Sequence, residues 1–170
     1  DPTVNRLCER AAELMGQEAA LFVPSGTMCN QIAIATHCRP GDDIIAAEAS
    51  HVISNEGAGA AVFAGSFMRA ISCRRGIFTA ADVSAAARPR RPKSPRLRLV
   101  EVEQTNNRGG GSVWPLEAIL SVAEAAKTHD LALHMDGARL MNAAVGSGVS
   151  AQAFAAPFDP VAPRPSSPPG

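Results

Sequence analysis

Leu131-Ala-Leu-His-Met-Asp-Gly-Ala-Arg139 is the stretch that decides the fold. Its short apolar run ends in an acid and a glycine, and the arginine that follows opens a helical pattern. An apolar run of this length before an Asp-Gly turn predicts a buried strand that delivers a carboxylate to the edge of a sheet. In open α/β sheets, ligands bind in the crevice outside the carboxyl ends of the strands. Asp136 and Arg139 are therefore the first candidates for a site.

Similar short apolar runs alternate with helical patterns along the chain. Strands are predicted over Glu18–Val23, Asp43–Ala47, Met68–Ser72, Leu97–Val102 and the opening stretch. Helices are predicted over Val4–Met15, Thr27–His37, Val52–Ala61, Pro115–Ala126 and Ala138–Ala144. Alternating strands and helices argue for crossover connections, which produce parallel strands. We therefore predict a three-layer α/β/α fold with a mostly parallel sheet covered on both faces.

Several helix ends carry their own local signals. Asp1-Pro2-Thr3 is a helix start, because proline is favoured in the first turn, and Gly16 is a stop. Thr79-Ala-Ala-Asp82 resembles a capping box, in which the threonine and the acid satisfy each other's backbone N–H groups. Ser150 is predicted to cap one more short turn.

Composition excludes some classes of function. Of the 170 residues, 46% are hydrophobic, which is ordinary for a globular α/β protein. Acids and bases balance at 16 each, so no overall field favours nucleic acid or an anionic membrane. Arg88–Arg98 is basic and rich in proline, which would suit either a nucleic-acid arm or a solvated loop. No aromatic residue is interleaved there, so we favour the loop and predict no nucleic-acid partner.

Cysteine usage and hydropathy bear on location. The four cysteines form no CxxC pair, and we interpret them as reduced thiols of a cytoplasmic protein. No apolar run approaches the roughly 20 residues that a membrane helix needs, and no signal peptide is visible.

We expect one domain over residues 1–159, followed by a Pro/Ser-rich tail over 160–170 that can build neither helix nor sheet.

Ser25-Gly26-Thr27 lies between a predicted strand and a predicted helix. The backbone N–H groups of a helix N-terminus, two hydroxyl groups and a glycine that allows close approach would together cradle a phosphate. The alternative is that Ser25 only caps the helix. The stretch is neither a Walker motif nor a GxGxxG fingerprint, so nucleoside triphosphates and dinucleotides lose support.

The histidines differ in what they suggest. His51 follows a strand that ends near Glu48, so it falls at the same predicted sheet edge as Asp136. It is either structural or catalytic, because its imidazole can exchange a proton near neutral pH. His134 alternates with apolar neighbours inside a strand and is predicted to be a core residue. His37 and His129 end helices, where a partly charged ring suits the helix dipole.

Asp136 and Arg139 allow two interpretations. They could form a local ion pair at a helix start. They could instead bind a ligand, with the carboxylate holding a protonated ring nitrogen and the guanidinium holding an oxyanion or carboxylate. A phosphate cradle at one strand end and a carboxylate at another are what a pyridoxal phosphate site needs. We therefore predict a pyridoxal phosphate site and no metal site.

The motifs resemble those of a known family. They are Ala20-Leu-Phe-Val-Pro-Ser-Gly-Thr-Met-Cys-Asn30, Glu48-Ala-Ser-His51, Glu56-Gly-Ala-Gly59 and Leu133-His-Met-Asp-Gly-Ala-Arg-Leu-Met-Asn142. In order and combination they resemble the low-specificity threonine aldolases. These belong to the aromatic amino acid β-eliminating lyase/threonine aldolase group of fold-type-I pyridoxal phosphate enzymes. The likeness runs from the first residue to about Asp159.

The resemblance implies a reaction and a set of roles. The family cleaves β-hydroxy-α-amino acids such as threonine to glycine and an aldehyde. Ser25, Gly26 and Thr27 would hold the cofactor phosphate. His51 would stack on the ring and assist proton transfer, and Asp136 would bind the ring nitrogen. Arg139 would bind the substrate carboxylate or the phenolic edge of the cofactor.

The chain also departs from the family pattern. Family members carry a Ser-Lys-Gly segment whose lysine binds the cofactor covalently as a Schiff base. The only lysines here are Lys93 and Lys127, and neither falls at that place. Where some members have a histidine near the substrate hydroxyl group, this chain has Asn106.

From these departures we expect a truncated or frame-shifted member of the family that is inactive as it stands. The alternative is a non-catalytic remnant that binds phosphate ligands. Because family enzymes are homodimers or homotetramers, the resemblance also implies a homo-oligomer.

Overall fold

A computed structural model of the chain describes residues 1–87 and 93–158. Residues 88–92 of the predicted basic connection, Asp159 and the predicted tail over 160–170 lie outside these ranges. The strands are β1 (Asp42–Ala47), β2 (Phe67–Ile71), β3 (Arg96–Glu103) and β4 (Ala132–Asp136). The helices are α1 (Pro2–Met15), α2 (Gly26–His37), α3 (His51–Ser54), α4 (Gly59–Ala64), α5 (Ala80–Ala86), α6 (Leu116–Thr128), α7 (Leu140–Ser147) and α8 (Ala151–Ala155).

The four strands form one parallel sheet in the order β2-β1-β3-β4. Parallel neighbours need crossover connections, and here these contain helices, as the alternating sequence pattern predicted. In the β3–β4 register, Glu103 pairs with Asp136, so both strands present an acid at the same carboxyl end.

Both faces of the sheet are buried, which explains why β1 is buried at every position. Its side chains alternate between two hydrophobic clusters, one on each face. Ile45 belongs to a larger cluster that also contains Trp114 and Phe154. Ile44 belongs to a smaller cluster with Ile34 from α2 and Val52 from α3. The predicted three-layer α/β/α arrangement is therefore confirmed.

The predicted helix signals act as expected. The Asp1 side chain accepts hydrogen bonds from Thr3 and Val4, and α1 ends at Gly16, which has a left-handed φ of 64°. At α5, Thr79 Oγ1 accepts from the Asp82 N–H while the Asp82 carboxylate accepts from the Thr79 N–H at 2.7 Å. These contacts confirm both predictions, including the capping box.

Two predictions about elements were wrong. The stretch Glu18–Val23 forms no strand, and Leu21 and Phe22 within it are 79% and 55% exposed. A β-type sequence becomes a strand only where a neighbouring strand pairs with it, and none does so within the described ranges. The single helix predicted over Val52–Ala61 is two short helices, α3 and α4. They are separated by a turn in which Gly57 and Ala58 have positive φ.

The remaining expectations concern cysteines and membranes. All four cysteines are free thiols. Across the described parts of the chain, no helix combines the length and the apolar character needed to cross a membrane.

Ser150 caps α8 as predicted, because its hydroxyl oxygen accepts from the Ala153 N–H at 3.1 Å.

Candidate cofactor site at the carboxyl ends of the strands

Asp136 ends β4 as a buried carboxylate that is 7% exposed. Its Oδ1 accepts from the Ala138 N–H at 3.1 Å, within the Asp-Gly turn. Its Oδ2 accepts from the Asn30 Nδ2–H at 2.9 Å. A carboxylate offers about four acceptor positions, so these two bonds leave capacity for a further N–H donor. The position and chemistry suit a carboxylate that holds a protonated ring nitrogen.

The predicted phosphate cradle forms the N-terminus of α2. Ser25 is the N-cap, and its Oγ accepts from the Met28 N–H at 3.1 Å, so this hydroxyl group does cap the helix. The hydroxyl proton of Ser25 can still be donated to an anion. A Cβ added at Gly26 would meet no heavy atom within 4 Å, so the space beside this backbone is open. Asn30 lies one turn further along α2, which brings the cradle to the same sheet edge as Asp136.

His51 begins α3, the short helix that follows β1. Its backbone N–H donates to Glu103 Oε2 at 3.1 Å. Its ring Nδ1 lies 3.0 Å from Glu56 Oε1, and the side chain is 34% exposed. Ligating atoms of His51, Glu56 and Asp136 lie within 4.8 Å of one another. The structure thus brings His51 and Asp136 together, as the sequence predicted.

The same three side chains have a spacing at which a cation could bind. Asn30, however, donates hydrogen bonds into both carboxylates. Hydrogen bonds from Asn30 therefore already join the two carboxylates. The prediction that the chain has no metal site stays a prediction.

Arg139 lies at the N-cap of α7 with a half-exposed side chain. Its Nη1 is 3.9 Å from Glu103 Oε1, and the ion pair formed among the described residues is with Glu103, not with Asp136. The local Asp136–Arg139 pair considered from the sequence is therefore wrong. A guanidinium has five N–H donors, and one long contact leaves most of them available to an anion.

Glu103 is the second acid at this edge, and no role was predicted for it from the sequence. Besides His51, its donors are the Asn106 side chain at 2.8 Å and the Asn107 N–H at 3.0 Å. Burial raises the pKa of Glu103, and the hydrogen bonds from the Asn107 and His51 backbone oppose this shift. Asn106 Oδ1 also accepts from the Gly109 N–H at 2.7 Å. Asn106 is fully buried and holds the loop after β3 together.

Three further polar residues missed from the sequence connect these groups. Asn30 and Gln31 on α2 and Glu56 between α3 and α4 are all buried. Asn30 Nδ2 donates to Glu56 Oε1 at 2.8 Å, and Gln31 Nε2 donates to Glu56 Oε2 at 2.6 Å. Asn30 and Glu56 lie inside the motifs quoted above, but no pattern in a single sequence marks them as partners.

His134 lies in β4, two residues before Asp136, and is buried as predicted. Burial lowers the pKa of its ring to about 4, although the neighbouring Asp136 opposes this shift. The ring is therefore neutral at neutral pH. Its Nε2 lies 2.9 Å from Asn30 Oδ1.

The two lysines lie away from this edge. Lys127 is in the last turn of α6, which leads back towards the amino end of β4. Lys93 precedes the amino end of β3. The site lies at the carboxyl ends of the same strands, as Glu103 and Asp136 show.

The donor set fits pyridoxal phosphate. An open helix N-terminus with hydroxyl groups suits the phosphate, and Asp136 suits the ring nitrogen. The half-exposed ring of His51 can lie against an aromatic face, and Arg139 can bind a carboxylate. These groups derive from α2, α3, β4 and the start of α7.

Comparisons with known proteins agree with the motifs. The family described as beta-eliminating lyase matches residues 1–162. A probable low-specificity L-threonine aldolase 2 of Arabidopsis thaliana is 40% identical over 155 residues, covering 88% of this chain and 43% of that protein. A low specificity L-threonine aldolase of Escherichia coli (strain K12) is 38% identical over 149 residues, covering 87% and 44%.

Solved structures give the same result. The threonine aldolase of Leishmania major has a TM-score of 0.77 and 27% identity, over 87% of this chain and 44% of its own. The chain spans about two-fifths of the length of the curated relatives that it matches. Its fold matches part of the fold of fold-type-I pyridoxal phosphate enzymes, as the resemblance implied. By its sequence and its fold, the chain belongs to the beta-eliminating lyase family.

Proposed function

We propose that this chain is the cofactor-binding part of a pyridoxal phosphate-dependent lyase of the threonine aldolase type. Its substrates would be β-hydroxy-α-amino acids such as threonine, and its products glycine and an aldehyde. One observation carries the proposal: the buried Asp136 carboxylate and the open N-terminus of α2 meet at the carboxyl edge of the sheet. The names of the relatives support the same reaction class.

Different residues of the site would bind the cofactor phosphate, the ring nitrogen and the substrate carboxylate. Ser25, Gly26 and Thr27 would hold the cofactor phosphate through N–H and hydroxyl donors. Asp136 would keep the ring nitrogen protonated, and the bound cofactor then supplies an electron sink for the breaking carbon–carbon bond. Arg139 would bind the substrate carboxylate, because a guanidinium can make two parallel hydrogen bonds to it.

His51 would accept the proton of the substrate hydroxyl group. Its Nδ1 is held by Glu56, so Nε2 is the nitrogen left to accept a proton. A histidine whose far nitrogen is held by a carboxylate is a recurring general base, because the carboxylate fixes the tautomer and stabilises the charged ring.

The covalent attachment of the cofactor needs a lysine that Lys93 and Lys127 do not supply from their positions. We propose that these 170 residues bind the cofactor reversibly and do not turn over threonine without a further lysine. The proposal includes a cytoplasmic, homo-oligomeric enzyme, in keeping with the free thiols and with the family resemblance.

A direct experiment titrates the purified chain with pyridoxal phosphate by absorbance, adds L-threonine and measures glycine, then reduces the mixture with borohydride. Peptide mass spectrometry identifies any labelled lysine. We expect cofactor binding without labelling of Lys93 or Lys127, and no glycine above the background of an Asp136→Asn variant. Glycine production with a labelled lysine would show a complete active site and overturn the proposal that these 170 residues do not turn over threonine. Absence of any cofactor binding would overturn the proposed function.

A further inference from the structure

Asn30 is the point at which the buried polar groups of the site meet. Its side chain is only 3% exposed, yet it takes part in three hydrogen bonds. Nδ2 donates to Glu56 Oε1 at 2.8 Å and to Asp136 Oδ2 at 2.9 Å, while Oδ1 lies 2.9 Å from His134 Nε2. One amide from α2 therefore links β4 to the turn between α3 and α4.

The orientation of this amide is determined by its partners. A carboxylate has no hydrogen to donate, so the NH₂ group of Asn30 faces both carboxylates. Its Oδ1 then faces His134, whose ring is neutral because burial lowers its pKa to about 4. A neutral imidazole can satisfy Oδ1 only if the proton is on Nε2. His134 thus holds the amide in the orientation that serves both carboxylates.

Glu56 extends the network to His51. Its side chain is fully buried and accepts from Asn30, from Gln31 Nε2 at 2.6 Å and from His51 Nδ1, which lies 3.0 Å away. Gly59 makes room for Gln31, because a Cβ at Gly59 would come within 2.5 Å of the Gln31 carboxamide carbon. With this acceptor opposite, the proton of a neutral His51 ring sits on Nδ1, and Nε2 is free.

We propose that Asn30 is a positioning residue that holds Asp136 and, through Glu56, the ring of His51 in one arrangement at the candidate cofactor site. Without its two N–H donors, the Asp136 and Glu56 carboxylates, which have oxygens within 4.8 Å of each other, would repel. The inference rests on the proposed function, since it assigns Asn30 a purpose in orienting the groups that contact the cofactor ring.

The test measures the ring nitrogens of the histidines by ¹⁵N NMR in the purified chain. In the wild type we expect His134 to be neutral with its proton on Nε2, and His51 to carry a proton on Nδ1. Asn30→Asp replaces two donors by acceptors at nearly the same volume, so we expect the His51 ring signals to shift. We also expect the pKa of His134 to rise by at least about one unit. Asn5→Asp, on the exposed side of α1, is the matched control and should change neither.

Circular dichroism shows whether each variant folds, and Asn30→Ala replaces Asn30→Asp if the added charge prevents folding. Pyridoxal phosphate titration is the second readout, and loss of Asn30 should raise Kd at least about tenfold. Unchanged histidine signals in a folded Asn30 variant, or a wild-type His51 with its only proton on Nε2, would overturn the inference. If the wild type binds no pyridoxal phosphate, the proposed function fails, and the NMR result alone decides the role of Asn30.

Discussion

Asn30 Nδ2 and Asp136 Oδ2 are joined by a 2.9 Å hydrogen bond although 106 residues separate them along the chain. This contact joins the first turns of α2 to the end of β4, the two elements that the motifs marked as a phosphate cradle and a ring-nitrogen acceptor. The sheet makes it possible, because parallel strands bring their carboxyl ends to one edge. The site thus depends on long-range packing as well as on its local motifs.

Glu101 offers a test of buried charge in β3. It is 1% exposed, and neither of its carboxylate oxygens has a hydrogen-bond partner among the described residues. Burial, followed by the charges of Asp136, Glu103 and Glu56, raises its pKa well above 4.5, and the nearby Ser50 hydroxyl opposes this shift.

The folded chain therefore holds the Glu101 proton more tightly than the unfolded chain does, so stability falls as pH rises above about 4.5. We expect Glu101→Gln to raise the free energy of unfolding at pH 7 by about 1–3 kcal/mol. This gain should vanish near pH 4, where both states are protonated. Urea unfolding at the two pH values measures it, with the exposed Glu9→Gln as the control. An equal effect at both pH values would contradict a raised pKa.

Cys38 should resist thiol reagents in the folded protein. It is 6% exposed, and burial together with the charge of Asp42 raises the pKa of its thiol to about 12. The thiolate is the reactive form, and almost none is present at pH 8. N-ethylmaleimide labelling followed by peptide mass spectrometry should leave Cys38 unmodified until urea is added, while the exposed Cys29 reacts in the folded chain. Equal labelling rates for the two thiols would show that Cys38 is accessible.

The capping box at α5 should make a measurable contribution to stability. Thr79→Ala removes the side-chain acceptor of the Asp82 N–H and should cost about 0.5–2 kcal/mol in the free energy of unfolding. Ser84→Ala is the matched control, because Ser84 is exposed within the same helix and alanine is the better helix former there. Thermal or urea unfolding of the two variants measures the difference. A Thr79→Ala variant as stable as the control would contradict the capping role.

Much of the fold could be predicted because local and long-range preferences agree. The apolar run before Asp136 is a strand, and the capping box starts α5 where it was expected. The strand predicted over Glu18–Val23 was wrong because apolar residues show only a preference for extended structure, whereas a strand requires a paired neighbour. Such pairing is a property of the whole sheet that a short segment does not encode.

The candidate site was only partly predictable. Asp136 and His51 follow strands, the cradle forms the start of α2, and all three carry recognisable chemistry. Glu101 and Glu103 alternate with buried valines in β3, a pattern that normally marks a solvent-facing side, yet both acids are buried. The roles of these acids depend on which elements cover the sheet, and this information lies in tertiary packing.

The assignment of Asp136 as the acceptor for the ring nitrogen of pyridoxal phosphate can be tested directly. Isothermal titration calorimetry can compare pyridoxal phosphate with its 1-deaza analogue, which lacks that nitrogen, on the wild type and on Asp136→Asn. Asp130→Asn is the control, because its carboxylate is largely exposed. We predict that Asp136→Asn weakens pyridoxal phosphate binding about 10- to 100-fold, the value of a charge-assisted hydrogen bond, and leaves binding of the analogue unchanged. Equal losses for both ligands, or no loss for either, would contradict the assignment.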